Sequence, residues 1–343
     1  MKKWKMMVCV AALGLATGLV AQQAPKVFEA LPGVEWEYLG EGWYRSPMFG
    51  DFFADANNPY RFRSKSLGWL GYDDLAETVA QAGYGGIDLT VRPKGHVEPE
   101  RVEQDLPRAV EAARKQGLEV RMIVTAIQTA DEPLAERTLK TAAQCGVQVY
   151  RMGYFAYDHK VGVEGTIERL RPQTAALAAL NRRCGITGCY QNHYAWNDTL
   201  FGGSVWDVHA VLKGLDPQWI GCQYDVRHAV AEAGGSWGVA MRLIAPYIRS
   251  VCLKDFVWAK KKGGWVPDDV FGGDGQVPWG RFLKLMNTLK LEVPASLHCE
   301  WPLFTPEEAA LPEGERRRIA VAKMKRDADF FKAQYAKAGV KAG

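Results

Sequence analysis

The sequence predicts a (β/α)8 barrel, and three observations predict it. After residue 60, short strand-like runs alternate with helical stretches eight times. Eight such units in roughly 275 residues match the size of that barrel. Several of the runs also end on a carboxylate, a histidine or a lysine, and in such a barrel the chemistry sits at the C-terminal ends of the strands. A doubly wound open sheet is the rival arrangement of alternating strands and helices. No Gly-x-Gly-x-x-Gly follows an early strand, so no nucleotide cofactor is expected.

The units read as follows. A strand over 64–69 leads into a helix over 72–82. "YGGIDLTVR" (84–92) precedes a helix over 99–116, and "LEVRMIVTAI" precedes one near 133–145. "VQVYRMGYF" precedes a helix over 163–183, and "ITGCYQNHY" precedes one over 204–213. "IGCQYDVRHA" precedes a helix over 236–246, and "IRSVCLKDFVW" precedes one over 279–290. "ASLHCEWP" precedes a charged C-terminal helix near 312–336. The lysine run at 260–262 reads as a solvated loop after the seventh strand.

The N-terminus reads as an export signal. Lys2, Lys3 and Lys5 precede an uncharged apolar stretch over 6–20, and Leu19-Val20-Ala21 offers a small residue for cleavage. The stretch is short for a membrane span, so an uncleaved anchor is the alternative and no span is expected after cleavage. Residues 1–21 are therefore the signal peptide. Residues 22–60, rich in Gly, Pro and aromatics, are an extension packing on the barrel, which occupies 61–340. The expected location is the periplasm or outside the cell. The formal charge of +4 includes the three leader lysines, so the mature chain is nearly neutral and carries no nucleic-acid footprint. Cys189, Cys222, Cys252 and Cys299 lie in apolar runs and read as core, with no disulfide assigned.

Strand parity identifies the residues that face the barrel interior. In "GIDLTVR", Ile87, Leu89 and Val91 share the helix-facing side, which turns Asp88, Thr90 and Arg92 inward. Val251 and Leu253 face out, so Cys252 and Lys254 face in. Leu297 and Cys299 face out, so His298 and Glu300 face in. Asp225 shares the parity of Gln223, and Gln191 that of His193. Gln191, His193, Asp225, Lys254, His298 and Glu300 thus converge at one mouth, with Asp88, Arg92 and Arg151 across it. Charged groups are rarely buried unpaired, so such a cluster needs a function or a satisfied polar plug to explain it. Trp196, Trp258 and Trp301 lie beside the same strand ends and suit the apolar face of a sugar ring, with core packing as the other reading.

Over residues 64–335 the chain resembles the sugar phosphate isomerase/epimerase family of xylose-isomerase-like TIM barrels. The resemblance is carried by "GGIDLTVRPKGHVEPE", "YQNHYAWND", "CQYDVRHAVAEAGGSW", "VCLKDFVW", "GGDGQVPW" and "HCEW". It implies a divalent metal (Mn, Mg, Co or Zn) held by a strand-five Glu, a strand-six Asp, a strand-seven His and a strand-eight Glu. Asp225 and Glu300 match that pattern. Gln191 stands at the Glu position and Cys252 at the His position, which are two departures. Hard cations prefer oxygen ligands. The Lys254 ammonium, on the face of Cys252, repels a cation or stands in for one, and His193 or His298 is left to complete a metal site. The expected metal ligands are therefore Asp225, Glu300, Gln191 and His298.

The implied chemistry is isomerisation or epimerisation of a small sugar or keto sugar. A proton leaves a carbon beside a carbonyl, and the enediolate oxygen needs positive charge. Glu300 is the first candidate base, with His193 or His228 as its acid–base partner and Lys254 polarising the carbonyl. Arg151, Asp88, Arg92, Trp196, Trp258 and Trp301 are the candidate substrate contacts. Gln191 cannot titrate, which favours one-base chemistry and leaves a lyase or hydratase acting on 3-keto glycosides as the alternative. A non-catalytic sugar-binding protein is the other class, and assembly as a homo-oligomer stays open.

Overall fold

Eight parallel strands close on themselves. They are β1 (Tyr60–Arg63), β2 (Gly86–Thr90), β3 (Glu119–Val124), β4 (Val149–Arg151), β5 (Thr187–Gln191), β6 (Ile220–Asp225), β7 (Ile248–Leu253) and β8 (Ala295–Leu297). Each pairs with the next in chain order, and β8 pairs with β1 through Ala295↔Tyr60 and Leu297↔Phe62. The computed structural model describes residues 60–194, 199–261 and 264–340, together with a separate antiparallel sheet of three short strands, Glu37–Gly40, Trp43–Ser46 and Gly50–Phe53. The export signal, most of the extension and Trp196 lie outside the described residues. Among the described residues, no helix is long and apolar enough to cross a membrane.

Helices follow the strands at nearly the expected places, including Tyr72–Gln81, Val102–Lys115, Gly162–Cys184 and Glu313–Ala338. The core is the ring between strands and helices. Phe62, Ile87, Leu89, Ile220, Tyr224, Val251 and Leu297 are buried there on the outward parity of their strands. Inside the barrel Met122, Val149 and Cys189 form a small apolar patch. The rest of the interior is polar and buried, with Arg61, Asp88, Gln223, Ser250 and Ser296 among its members.

Three features depart from the sequence reading. The first strand is not 64–69 but Tyr60–Arg63, and Ser64–Leu67 is a short 3-10 turn. Its inward residues are Arg61 and Arg63, so the strand lacks the apolar run that would reveal it. Arg61 is anchored by Glu119 at 2.9 Å. Second, β6 passes directly into a helix, Val226–Ala233, before the expected one at Trp237–Ile244. Third, the stretch after β7 is not a loop but an antiparallel hairpin, Asp255–Lys261 with Gly264–Val270, in register from Asp255↔Val270 to Lys261↔Gly264. Its outer half is solvated on both faces, so it shows little apolar alternation. The buried Asp255 carboxylate ties its base down, accepting from the backbone N–H of Phe256, Gly273 and Val277 and from Trp279 Nε1.

Trp301 also departs from expectation. It is buried, not open to the mouth. Its Nε1 donates to Asp327 Oδ2 at 2.7 Å, and its ring lies 4.2 Å from that of Phe271. It therefore clamps the C-terminal helix to the end of β8. Burial raises the Asp327 carboxyl to about 6, against an ordinary 3.8. A raised carboxyl binds its proton more tightly in the folded chain. Its stabilising contribution is thus complete below pH 3.8 and lost as pH rises through about 6. Relative to Asp327→Asn, the wild type should lose about 2 kcal/mol of unfolding free energy between pH 4 and pH 7. Urea denaturation at a series of pH values measures this, and a pH-independent difference would contradict the assignment.

Candidate active site

The strand ends bring Asp225, Lys254 and Glu300 together around one nitrogen. Lys254 Nζ lies 3.2 Å from Asp225 Oδ2, 2.8 Å from Glu300 Oε2 and 2.7 Å from His228 Nε2. Two of the ammonium's N–H groups donate to the carboxylates, and His228 Nε2 faces the same nitrogen. Glu300 accepts from Arg63 through its other oxygen. Asp225, Lys254 and His228 are buried, whereas the Glu300 side chain keeps 21 % of its exposure and is the member of the cluster that solvent reaches.

Local structure fixes each member. Asp225 ends β6 and caps the following helix, its Oδ1 accepting from His228 N at 3.1 Å. Asn192 clamps the Asp225 backbone from β5, with Oδ1 accepting Asp225 N and Nδ2 donating to Asp225 O. Arg227 lies 3.1 Å from His228 Nδ1 through Nη1, pairs with Asp269 at 2.9 Å and donates to Pro267 O at 3.0 Å, so it latches the hairpin to the mouth. His193 and His228 stack with ring centres 3.9 Å apart.

Charge states follow from these neighbours. Burial, then the Lys254 charge, lowers His193 to about 3 and holds His228 well below the ordinary imidazole range, so both are neutral at pH 7. Burial alone would raise the Glu300 carboxyl, but Lys254 and Arg63 outweigh it and hold it well below its usual value. Burial alone would lower Lys254, and Asp225 and Glu300 reverse that. The cluster is therefore a charged ammonium between carboxylates, flanked by neutral imidazoles.

The remaining expected residues are placed as follows. Arg151 Nη1 donates to Tyr154 OH at 2.8 Å and to Gln191 Oε1 at 3.3 Å. Arg92 is half-buried beyond β2. Asp88 lies deeper, accepting from Ser296 Oγ at 2.7 Å, with its carboxyl raised by burial. His298 is buried beside it, Nε2 3.4 Å from Cys252 Sγ. Trp258 is on the hairpin, 37 % exposed and edge-on to Tyr194. Sequence reasoning did not single out Arg63, Tyr154, Asn192 or Arg227. The inward parity of Arg63 was the available signal, hidden because β1 was set too late.

The resemblance implies a divalent metal, and the donor set decides whether one fits. Asp225, Cys252 and His298 bring one ligand atom each within 4.8 Å of one another. Those atoms already face hydrogens. Tyr154 OH (2.6 Å) and Arg151 donate to Gln191 Oε1, which fixes the amide so that Nε2 donates to Asp225 Oδ2 (2.8 Å) and to Cys252 Sγ (3.4 Å). Lys254 places a positive charge between the two carboxylates that would bind the ion. Burial and Asp225 also push the Cys252 thiol well up, away from the thiolate a metal needs. The resident side chains do not fit a divalent ion while Lys254 is in place. Removing the ammonium should open the trio. Lys254→Met should bind Mn2+ or Zn2+ at least about 10-fold more tightly than wild type. Equilibrium dialysis with elemental analysis measures this, and a wild type that retains one ion per chain would contradict the reading.

Comparison with known proteins agrees with this architecture. A family model described as a xylose isomerase-like TIM barrel matches residues 76–329. No curated protein matches the chain. Among solved structures, a xylose isomerase domain protein from Planctomyces limnophilus is similar at 15 % identity and a TM-score of 0.58, covering 82 % of this chain and 98 % of that one. A D-psicose 3-epimerase from Clostridium cellulolyticum H10 is similar at 14 % identity and 0.55, covering 80 % and 98 %. A probable 3-DHS dehydratase from Bacillus anthracis is similar at 14 % identity and 0.55, covering 78 % and 97 %. At these identities the likeness is one of fold. With the closed eight-stranded barrel and a match over most of its length, the chain belongs to the xylose isomerase-like TIM barrel family.

Proposed function

We propose that this chain is an exported enzyme of the isomerase or epimerase type, acting on a sugar or keto sugar by removing a proton beside a carbonyl through an enediolate. The observation that carries the reading is the Lys254 ammonium seated between Asp225 and Glu300 at the barrel mouth. An enediolate needs fixed positive charge at its oxygen, and a buried ammonium supplies it where solvent screening is weak. Lys254 polarises the substrate carbonyl, with the Arg151 and Arg63 guanidiniums adding to the field. Asp225 holds Lys254 in place.

Glu300 is the base, because it is ionised and reachable from solvent. Its proton affinity is low while Arg63 and Lys254 both bind it. Substrate hydroxyls that draw off either partner raise that affinity at the moment of transfer. Glu300 returns the proton it has taken, and the neutral His228, in contact with Lys254, is the acid–base partner, with His193 against it. The expected export signal places the reaction outside the cytosol, where free sugars and glycosides are met more often than sugar phosphates.

A second reading has its own observation. Gln191 occupies the position where a second base would face Glu300, and its amide is locked by four hydrogen-bonding partners. One base and an electrophile suffice for aldose–ketose isomerisation and equally for β-elimination from a 3-keto glycoside. The epimerase and dehydratase among proteins of the same fold are consistent with either.

Incubation in deuterated water with a panel of aldoses, ketoses and 3-keto glucosides, followed by proton NMR, tests the proposal. Loss of a C–H signal adjacent to a carbonyl, slowed at least about 100-fold in Glu300→Gln, is the expected result. Appearance of an unsaturated keto sugar selects the elimination reading. Sugar binding without exchange or elimination would overturn catalysis and leave a sugar-binding protein.

A further inference from the structure

We infer that the substrate carries an oxyanion, a carboxylate or a phosphate, and that Arg92 and Arg151 hold it on the β2–β4 side of the mouth. The inference deepens the proposed reading, because it takes the mouth as the sugar site. It starts from an imbalance of charge. Six basic side chains gather at the strand ends: Arg63 closing β1, Lys65 in the turn after it, Arg92 beyond β2, Arg151 closing β4, Lys254 beyond β7 and Arg227 beyond β6, the last paired with Asp269. Among the other five, two carboxylates form ion pairs. Lys254 binds both Asp225 and Glu300, and Arg63 shares Glu300.

Among the described residues no carboxylate forms an ion pair with the other three. Arg151 is buried, and its bonds go only to neutral acceptors, Tyr154 OH, Gln191 Oε1 and Thr125 O. Its Nε is buried with no hydrogen-bond partner, and so is the Nε of Arg92. Among the described residues neither guanidinium makes an ion pair. Asp88 lies nearby but gives Oδ2 to Ser296, and its Oδ1 meets no donor. The two guanidiniums also act on each other. Burial, then Arg151 and Arg63, lowers Arg92. Burial, then Arg63, lowers Lys65.

A partly desolvated cation without a counter-ion is costly, and a ligand anion removes that cost. Guanidinium forks match the geometry of a carboxylate or a phosphate. A neutral sugar could accept the same hydrogen bonds, but it would leave the charge uncompensated. The local surplus does not reflect a basic chain, because the sequence is nearly neutral once the leader lysines are set aside.

Calorimetric titration of the full chain with glucose, glucuronate and glucose 6-phosphate tests this, with inorganic phosphate as the bare anion. At least one anionic sugar should bind about 10-fold or more tightly than glucose. That preference should fall with added salt and be lost in Arg92→Gln, and be weakened in the exposed-site variant Lys65→Gln. Preference for glucuronate assigns a carboxylate. Preference for glucose 6-phosphate, with competition by inorganic phosphate, assigns a phosphate. Should Arg92→Gln fail to fold, the wild-type ratio and its change in Lys65→Gln decide.

Equal or absent binding of all three sugars, with no effect of inorganic phosphate on the melting temperature, overturns the inference. An anionic preference that survives both substitutions overturns it as well. The readout is independent of turnover. Anion selectivity without C–H exchange refutes catalysis alone, and exchange without selectivity refutes this inference alone.

Discussion

A single buried ammonium organises the mouth of this barrel. Lys254 can remain charged at full burial only because the Asp225 and Glu300 carboxylates lie against it. Glu300 in turn depends on it, since Lys254 and Arg63 hold its carboxyl low against the effect of burial. Removing one member of such a set leaves an uncompensated charge, at a cost of about 3–5 kcal/mol. Asp225 couples the cluster to the backbone through its helix cap and the Asn192 clamp, and Glu300 couples it to β1 through Arg63. The polar network thus spans strands on opposite sides of the barrel and fixes the mouth as one unit.

This arrangement divides labour between two regions of the fold. The apolar core is the ring outside the strands, where Phe62, Tyr224, Val251 and Leu297 pack against helices. It supplies the burial that holds the barrel closed. The interior, filled by branched apolar side chains in many barrels of this type, is here mostly polar. Its groups sit on strands rather than loops, so their positions follow from backbone registers such as Cys252↔Asp225 and Gln191↔Gln223. A rigid sheet can hold a charge in a costly arrangement, such as the Arg151 guanidinium, that a mobile loop would relax away.

Much of this was legible in the sequence because period two is a strong constraint. Once Leu253 and Leu297 face the helices, Lys254 and Glu300 must face the interior. The same reasoning failed where inward residues masked the strand itself. "YRFR" offers one outward aromatic between two arginines, which reads as part of a polar leader. The hairpin after β7 escaped because its outer half is exposed on both sides and has no face to alternate. Trp301 was misassigned for a different reason. Parity gives the side of the sheet, but not whether a long side chain beyond the strand end turns to the mouth or, like this one, to a carboxylate on the last helix. Trp196 lies outside the described residues, so its role rests on sequence alone.

The departures from the implied metal ligands make sense as one change rather than three. A divalent ion among an aspartate and two glutamates carries a formal charge of minus one in total. Here the ion's place between the carboxylates is taken by the singly charged Lys254, and one of the two glutamates is Gln191. Asp225, Glu300 and Lys254 together again sum to minus one. A glutamate at 191 would add a buried negative charge beside Asp225 that a single ammonium could not balance. Gln191 instead donates to Asp225, doing by hydrogen bond what a metal would do by coordination. Cys252, at the histidine position, accepts from the same amide and meets His298 without bringing a third imidazole next to Lys254. On this account Lys254, Gln191 and Cys252 are interdependent, and restoring any one ligand alone would leave the site mismatched in charge or in donors. On the proposed reading the electrophile is Lys254, supplied by the chain itself and held between Asp225 and Glu300.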